Sequence, residues 1–365
     1  MTDPAPDASA ESPASPGIRW SARLRSRTRF LAALAWLVAI GSLGALMFGY
    51  VWPVTLEPAS GSRLITDLLA FMLVTFRFHI GLGVLIVAVG ALATRRWRLL
   101  ALGASVAALG LAPELWLLRP RERSAASHSP ELVVMSVNML YSRADPAKLR
   151  AEIDRIEPDV ILFQEYTVTA EQVLPGLLAD FPHIAQAARD DAFGQAVYSK
   201  LPFEERVSNY PSIGSWIIPQ QYAVLAFGDR RIGLLNVHVV PPVSLEYYTD
   251  QRAQTAAIAR YVTDLLRSGK EDGLIVMGDF NATPQSSHLA AVRSAGLVDA
   301  HQVAGRGRGS TWPRTGMLRY APGIRLDHAL VGVALEPLHA VVGDDIGSDH
   351  RPIAVRVSWK PNANR

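Results

Sequence analysis

A chain of 365 residues is long enough for more than one domain, and 49% hydrophobic content with a positive mean hydropathy is high for a soluble enzyme. The 36 basic and 33 acidic residues leave a net charge of only +3, but the basic ones are unevenly placed along the chain. The absence of cysteine excludes a disulfide framework and thiolate chemistry.

Residues 1–28 read as a disordered basic tail, rich in Pro, Ala and Ser and closing on Arg19, Arg23, Arg25 and Arg27. From Phe30 to Val51 no charge appears, enough for a helix to cross the hydrocarbon core, and Tyr50 and Trp52 stand at its far end as interfacial aromatics. Arg77 and His79 interrupt the apolar stretch Leu64–Thr94. This predicts an interfacial amphipathic piece through Phe76 and a span from Phe78 to Ala93, with Arg77 snorkelling at the edge. A third span is expected from Leu99 to Leu118. Residues 29–118 are thus expected to form a membrane region of about three transmembrane helices in a bacterial-type cytoplasmic membrane. Arg29 completes an N-terminal cluster of five arginines, and Arg95, Arg96 and Arg98 bring the expected cytoplasmic set to eight. Arg63, Arg119, Arg121 and Arg123 oppose them on the other side. This bias keeps the N-terminus inside and, after an odd number of spans, carries the remaining chain outside.

Residues 119–130 read as a linker. A buried strand Leu132–Val137 then ends in Asn138, and a helix from Pro146 to Ile156 follows with proline in its first turn. The apolar run Asp159–Gln164 ends in Glu165. Further strands are predicted at 195–199, 222–227, 231–238, 273–278, 327–332 and 351–357, with a long helix at 246–267. Several strands end in polar residues, the layout of an α/β enzyme whose site gathers at strand ends. Two strings concentrate the chemistry: Gly278-Asp279-Phe280-Asn281 and Gly347-Ser348-Asp349-His350-Arg351-Pro352. Carboxylates, an amide and a histidine at strand ends suit metal-assisted attack on a phosphate ester.

With Ser136-Val137-Asn138, Phe163-Gln164-Glu165, Gly194 through Lys200, Asn236-Val237-His238 and Arg325-Leu326-Asp327-His328, these strings make seven motifs in one order. Residues 131–358 thereby resemble the endonuclease/exonuclease/phosphatase superfamily of DNase I-like phosphoesterases. The resemblance implies a four-layer αββα sandwich that binds Mg²⁺ or Mn²⁺, followed here by a short tail at 359–365. It assigns Glu165, Asn138 and Asp349 to the metal. Asp279 would position or deprotonate water. His350, oriented by Asp327, would act as base or contact the phosphate, and His238 would serve the leaving group or the phosphate. Asn281 would hydrogen-bond a nonbridging oxygen and Asn236 would support the site. Leu140 stands where abasic-site nucleases of the family carry an acid, which argues against that activity.

Arg306, Arg308, Arg314, Arg319 and Arg325 crowd a Gly-rich loop around Trp312, so Arg308 and Trp312 are candidate substrate contacts for a polyanion. The resulting expectation is a membrane-anchored phosphoesterase acting on a phosphodiester or phosphomonoester, with the catalytic domain extracytoplasmic. Its substrate would be nucleic acid, phospholipid or a small phosphodiester. The alternatives are an extracytoplasmic nuclease, a lipid-headgroup phosphodiesterase and an inactive scaffold on the same fold.

Overall fold

The computed structural model describes residues 16–115, 130–210 and 218–361. The expected tail residues 1–15 and 362–365, the end of the third span at 116–118 and nearly all of the linker lie outside the described residues.

Two six-stranded sheets pack face to face. The first has the order β11 (Leu335–Val342), β12 (Ile353–Trp359), β1 (Glu131–Asn138), β2 (Val160–Gln164), β4 (Gln195–Ser199), β3 (His183–Ala187). The second runs β5 (Ser208–Tyr210), β6 (Gln220–Phe227), β7 (Arg230–His238), β8 (Gly273–Asp279), β10 (Asp327–Gly332), β9 (Leu297–Asp299). In β1, Leu132 and Val134 point into the core between the sheets, while Met135 and Val137 point into the layer under the helices. A strand buried on both faces must be apolar throughout, which is why its sequence is an unbroken run.

Helices α5 (Pro146–Ile156) and α6 (Val168–Leu177) cover the first sheet; α7 (Leu245–Ser268) and α8 (Ser287–Arg293) cover the second. Asp145 caps α5 by accepting from the Ala147 and Lys148 amides, and Leu149 and Ile153, one turn apart, face the sheet. Ser244 caps α7, and Gly269 ends it in the left-handed region. The arrangement is the expected four-layer αββα sandwich. The last strand runs to Trp359, whose buried indole packs against Gly273, one residue past the expected domain end.

Among the described residues, four helices precede the sandwich. The first, α1 (Pro16–Val51), begins inside the expected tail, and its segment Arg27–Val51 is long and apolar enough to cross a membrane. Phe30, Leu31, Leu37 and Ile40 are exposed on its surface. Helices α2 (Gly61–Thr75) and α3 (Arg77–Ala93) meet at a 62° bend at Phe76, the predicted break. Against α3 packs α4 (Trp97–Leu115), and a side chain at Gly110 would strike the Arg77 carbonyl at 2.6 Å and Gly81 Cα at 2.7 Å. Glycine permits this close crossing.

Two expectations change here. The amphipathic piece α2 is docked on the catalytic domain, with Phe71 in one core with Tyr248, Ile258 and Leu289. Arg77 does not snorkel: it is buried 2.7 Å from Glu114 of α4, an acid that also accepts from Arg308 of the catalytic domain at 3.1 Å. A buried guanidinium requires such a counter-charge.

Candidate active site

Strand pairing assembles the site. In parallel register His238 of β7 lies opposite Asp279 of β8, and Asp279 lies opposite Asp327 of antiparallel β10. One edge of the second sheet therefore presents a histidine and two carboxylates side by side. Gly278 precedes Asp279 at φ +147°, where a Cβ would fall 1.9 Å from the Val237 carbonyl oxygen, so only glycine fits. From the first sheet, β1 ends in Asn138, paired with Gln164 at the end of β2, and Glu165 follows directly.

The two edges join through Asn138. Its Nδ2 donates to Glu165 Oε1 and to Asp279 Oδ2, each at 3.1 Å, and its Oδ1 accepts from the Leu140 amide at 3.0 Å. Glu165 Oε2 accepts from the Tyr141 amide at 2.9 Å. Leu140, Tyr141, Ser142, Glu165 and Asn281 all hold positive φ without being glycine. Left-handed backbone costs on the order of 1 kcal/mol per residue, and its clustering at one cleft is typical of a functional site.

His350 is held from two directions. Its Nδ1 lies 2.8 Å from Asp327 Oδ2, and its amide donates to Ser348 Oγ, which itself donates to the Asn138 carbonyl at 2.7 Å. The other ring nitrogen, Nε2, lies 3.7 Å from Asp279 Oδ2, and His238 Nε2 approaches the same oxygen at 3.9 Å. Burial alone would depress the His350 imidazolium, but the carboxylates of Asp327 and Asp279 outweigh it and raise His350 well above its ordinary value. Burial raises Asp279 far above the carboxylate range, against the pull of His350. His238 is lowered to about 4 by burial and by the His350 charge, so it is neutral. Glu165 is raised by burial, partly offset by its bond from Asn138.

The remaining candidates separate by their contacts. Asp349 Oδ2 accepts from Trp312 Nε1 at 3.2 Å, while Oδ1 is buried without a protein partner. Asn281 donates through Nδ2 to the Val239 carbonyl at 2.8 Å, and its amide donates to Asp279 Oδ1 in an Asx turn. Glu165, His238, Asp279, Asn281, Asp349 and His350 line one cavity of about 760 Å³, which Trp312 also borders. Asn236 does not reach it. Its Oδ1 accepts from Gln164 and its Nδ2 donates to the Phe163 carbonyl, so it ties the two sheets together. Arg308 is likewise committed elsewhere, to Glu114 and to the Phe78 ring at 3.6 Å. Arg325 is buried in a two-pronged pair with Asp299. The expected basic loop therefore spends two of its arginines on internal ion pairs.

Sequence reasoning missed the neutral amides that brace the site, including Gln220, which accepts from the His238 amide and donates to its carbonyl. It also missed Phe71, Met72, Thr75 and Phe76 as lining residues of the cavity. Nothing local marks them; their role exists only after α2 docks.

A divalent cation fits the donor set. Asp279, Asp327 and His350 place ligand atoms within 4.8 Å of one another, but the Asp327–His350 hydrogen bond occupies two of them. The unpartnered Asp349 Oδ1 and the Glu165 carboxylate offer hard oxygens of the kind such a cation prefers.

A sequence model of the endonuclease/exonuclease/phosphatase family matches residues 135–350. No curated protein matches the chain at a significant level. Among solved structures, a protein of this family from Beutenbergia cavernae superposes with a TM-score of 0.51 at 18% identity, covering 63% of this chain and 72% of that one. A family member from Bacteroides thetaiotaomicron gives 0.51 at 14% identity over 64% of this chain and 100% of that one. A 3′ phosphatase from Neisseria, bound to a product DNA hairpin, gives 0.50 at 19% identity over 62% and 100%. At these identities the structural likeness speaks for the fold alone; the family rests on the sequence match, which spans more than half the chain. This chain belongs to the endonuclease/exonuclease/phosphatase family and is a hydrolase of phosphate ester bonds.

Proposed function

We propose that the protein is a membrane-anchored phosphoesterase that uses Mg²⁺, or Mn²⁺ in its place, to hydrolyse a phosphodiester or phosphomonoester with an activated water. The observation that carries this reading is His350, bonded to Asp327 and 3.7 Å from Asp279, lining one cavity with Asp279 and Glu165. Glu165 and Asp349 would hold the cation, with Asn138 fixing the Glu165 carboxylate; the bound cation would supply Lewis-acid charge neutralisation at the phosphate.

His350, kept protonated by its two carboxylate neighbours, suits a nonbridging phosphate oxygen better than a proton-accepting role. Asp279, whose affinity for a proton burial raises while the His350 charge holds it ionised, suits the base. Water's oxygen forms a bond to phosphorus, its proton passes to the Asp279 carboxylate, and the ester P–O bond breaks. Neutral His238, at the same carboxylate oxygen, stands where the leaving alcohol's proton can be managed.

The anchor reading is supported by α1 and by the ends of the other helices. Tyr50 near the end of α1, Arg77 at the start of α3 and Glu114 at the end of α4 lie together: Arg77 bonds Glu114, and the Tyr50 hydroxyl donates to the Leu109 carbonyl. Helices α1, α3 and α4 would then be three crossings, with Arg95, Arg96 and Arg98 at the far side beside the N-terminus. The catalytic domain would be extracytoplasmic. A nuclease reading draws less support, because Arg308 and Arg325 are paired internally. Hydrolysis of a bis-aryl phosphodiester by the full-length protein tests the assignment: turnover with Mg²⁺ that vanishes in excess chelator is expected, and undiminished turnover in chelator would overturn it.

A further inference from the structure

The active-site cavity joins two surfaces of opposite character. Its floor is the carboxylate and histidine cluster. Its wall comes from outside the catalytic sheets: Phe71, Met72 and Thr75 of α2 and Phe76 at the bend line the same space. Pro241, Pro242 and Val243 after β7 continue the apolar rim, and Val243 is largely exposed. A free, hydrated phosphate ester gains little from such a rim, whereas an alkyl chain gains from every carbon it buries there.

The wall is continuous with the apolar helices. Phe76, exposed at the bend, directly precedes α3, on which Ile86, Val89 and Leu92 are exposed. Two buried locks hold this geometry: Asp67 of α2 pairs with Arg252 of α7 at 2.9 Å, and Glu114 receives both Arg77 and Arg308. A separate observation points the same way. The 3-10 turn at Gly316–Tyr320 exposes Met317 (88%) and Tyr320 (83%) with Leu318 between them. His79, in the first turn of α3, bonds the Pro322 carbonyl at 2.6 Å and so tethers this apolar tip beside the helix entry. Arg319 shares the turn, where a cation meets lipid headgroups favourably.

We propose that the ester hydrolysed at this site belongs to a bilayer phospholipid. The proposal rests on the phosphoesterase reading above and names its substrate. The phosphate reaches the floor, its hydrocarbon lies against Phe71, Met72 and Phe76, and the Met317–Tyr320 tip rests in the headgroup layer. Water's oxygen bonds to phosphorus, one phosphate–alcohol bond breaks, and the alcohol leaves with a proton, so a phospholipid yields one alcohol and one phosphomonoester.

The test uses the full-length protein with Mg²⁺ and three probes: vesicles of phosphatidylglycerol with phosphatidylethanolamine followed by ³¹P NMR, a soluble bis-aryl phosphodiester, and single-stranded DNA. A series of aryl alkyl phosphodiesters below their critical micelle concentrations forms a fourth arm that needs no variant. Expected results are loss of the lipid diester signal and a kcat/KM that climbs severalfold for each added pair of methylenes. Phe76→Ser should lower the ratio of lipid to soluble-ester kcat/KM by about tenfold or more, the scale of one lost aromatic contact, and Phe76→Leu should restore most of it. Turnover of the soluble ester or DNA without lipid turnover, or a flat alkyl series, overturns the lipid proposal and leaves the phosphoesterase reading standing. Turnover of no probe overturns that reading, and the lipid proposal with it.

Discussion

Asp67 gives the sharpest perturbation of the docked α2 helix. Its side chain is 0% exposed and that of Arg252 3%. Oδ2 accepts from Arg252 Nη1 at 2.9 Å, while Oδ1 accepts from Trp52 Nε1 at 2.8 Å and lies 2.9 Å from Arg63. Asp67→Ala removes the carboxylate and leaves the Arg252 guanidinium buried, with the Glu57 carbonyl as its remaining acceptor. Stripping one partner from a buried pair costs about 3–5 kcal/mol. The Arg63 contact, 43% exposed on the arginine side, adds at most about 1 kcal/mol because solvent screens it. The cost falls on local docking of residues 61–76, so amide exchange there should accelerate by about 10²–10⁴-fold, each 1.4 kcal/mol being tenfold. The double change Asp67→Leu with Arg252→Met removes both charges and should recover much of the loss. Exchange within threefold of wild type in Asp67→Ala, or a double variant no better than the worse single one, would refute this reasoning.

Three further outcomes are expected. Asp327→Asn and His350→Ala should each cost roughly 10²–10⁴-fold in kcat, and the double variant little more than the worse single one; additive losses in the cycle would show that the two act independently. His288 of α8, buried against Phe71 and stacked on Tyr248, is lowered from 6.5 to about 3 by burial and by Arg252. Between those values the unfolded chain holds the extra proton, so stability is full above pH 6.5 and falls as pH drops toward 3; His288→Phe should flatten that slope in thermal melts, and an unchanged slope would exclude the assignment. Alkaline phosphatase fused after Arg365 should be active and green fluorescent protein dark, the reverse pair placing the catalytic domain inside.

The fold was legible where burial was two-sided and the strands read as apolar runs. β1, β2, β7, β8 and β12 lie within two residues of their expected ends. What escaped were elements whose sequences carry mixed signals. β11 contains Pro337 next to a register shift, tolerated because it is an edge strand, and the edge strand β3 (His183–Ala187) is half-buried throughout. α6 contains Pro175, and α8 is only seven residues long. At the site, the strand-end position of Asn138, Glu165, Asp279 and His238 was readable because an apolar run stops there. The commitments of Arg308 and Asn236 were not. Arg308 meets an acid 194 residues away, and Asn236 bonds a glutamine 72 residues away across the sheet interface. Neither separation leaves a local periodicity, and α2 shows why: an amphipathic helix reads the same whether its apolar face meets lipid or a protein core.

The metal assignment carries the whole account, and Glu165→Gln tests it with little change of shape. Glutamine keeps an oxygen for the Tyr141 amide at the position of the acceptor now at 2.9 Å, but it removes the charge offered to the cation. Titrating Mg²⁺ against hydrolysis of a bis-aryl phosphodiester, alongside direct calorimetric Mg²⁺ binding, should show the half-saturating concentration rising by about tenfold or more in the variant, as loss of one hard anionic ligand requires. Unchanged Mg²⁺ affinity by calorimetry, with unchanged half-saturation in the assay, would contradict the account.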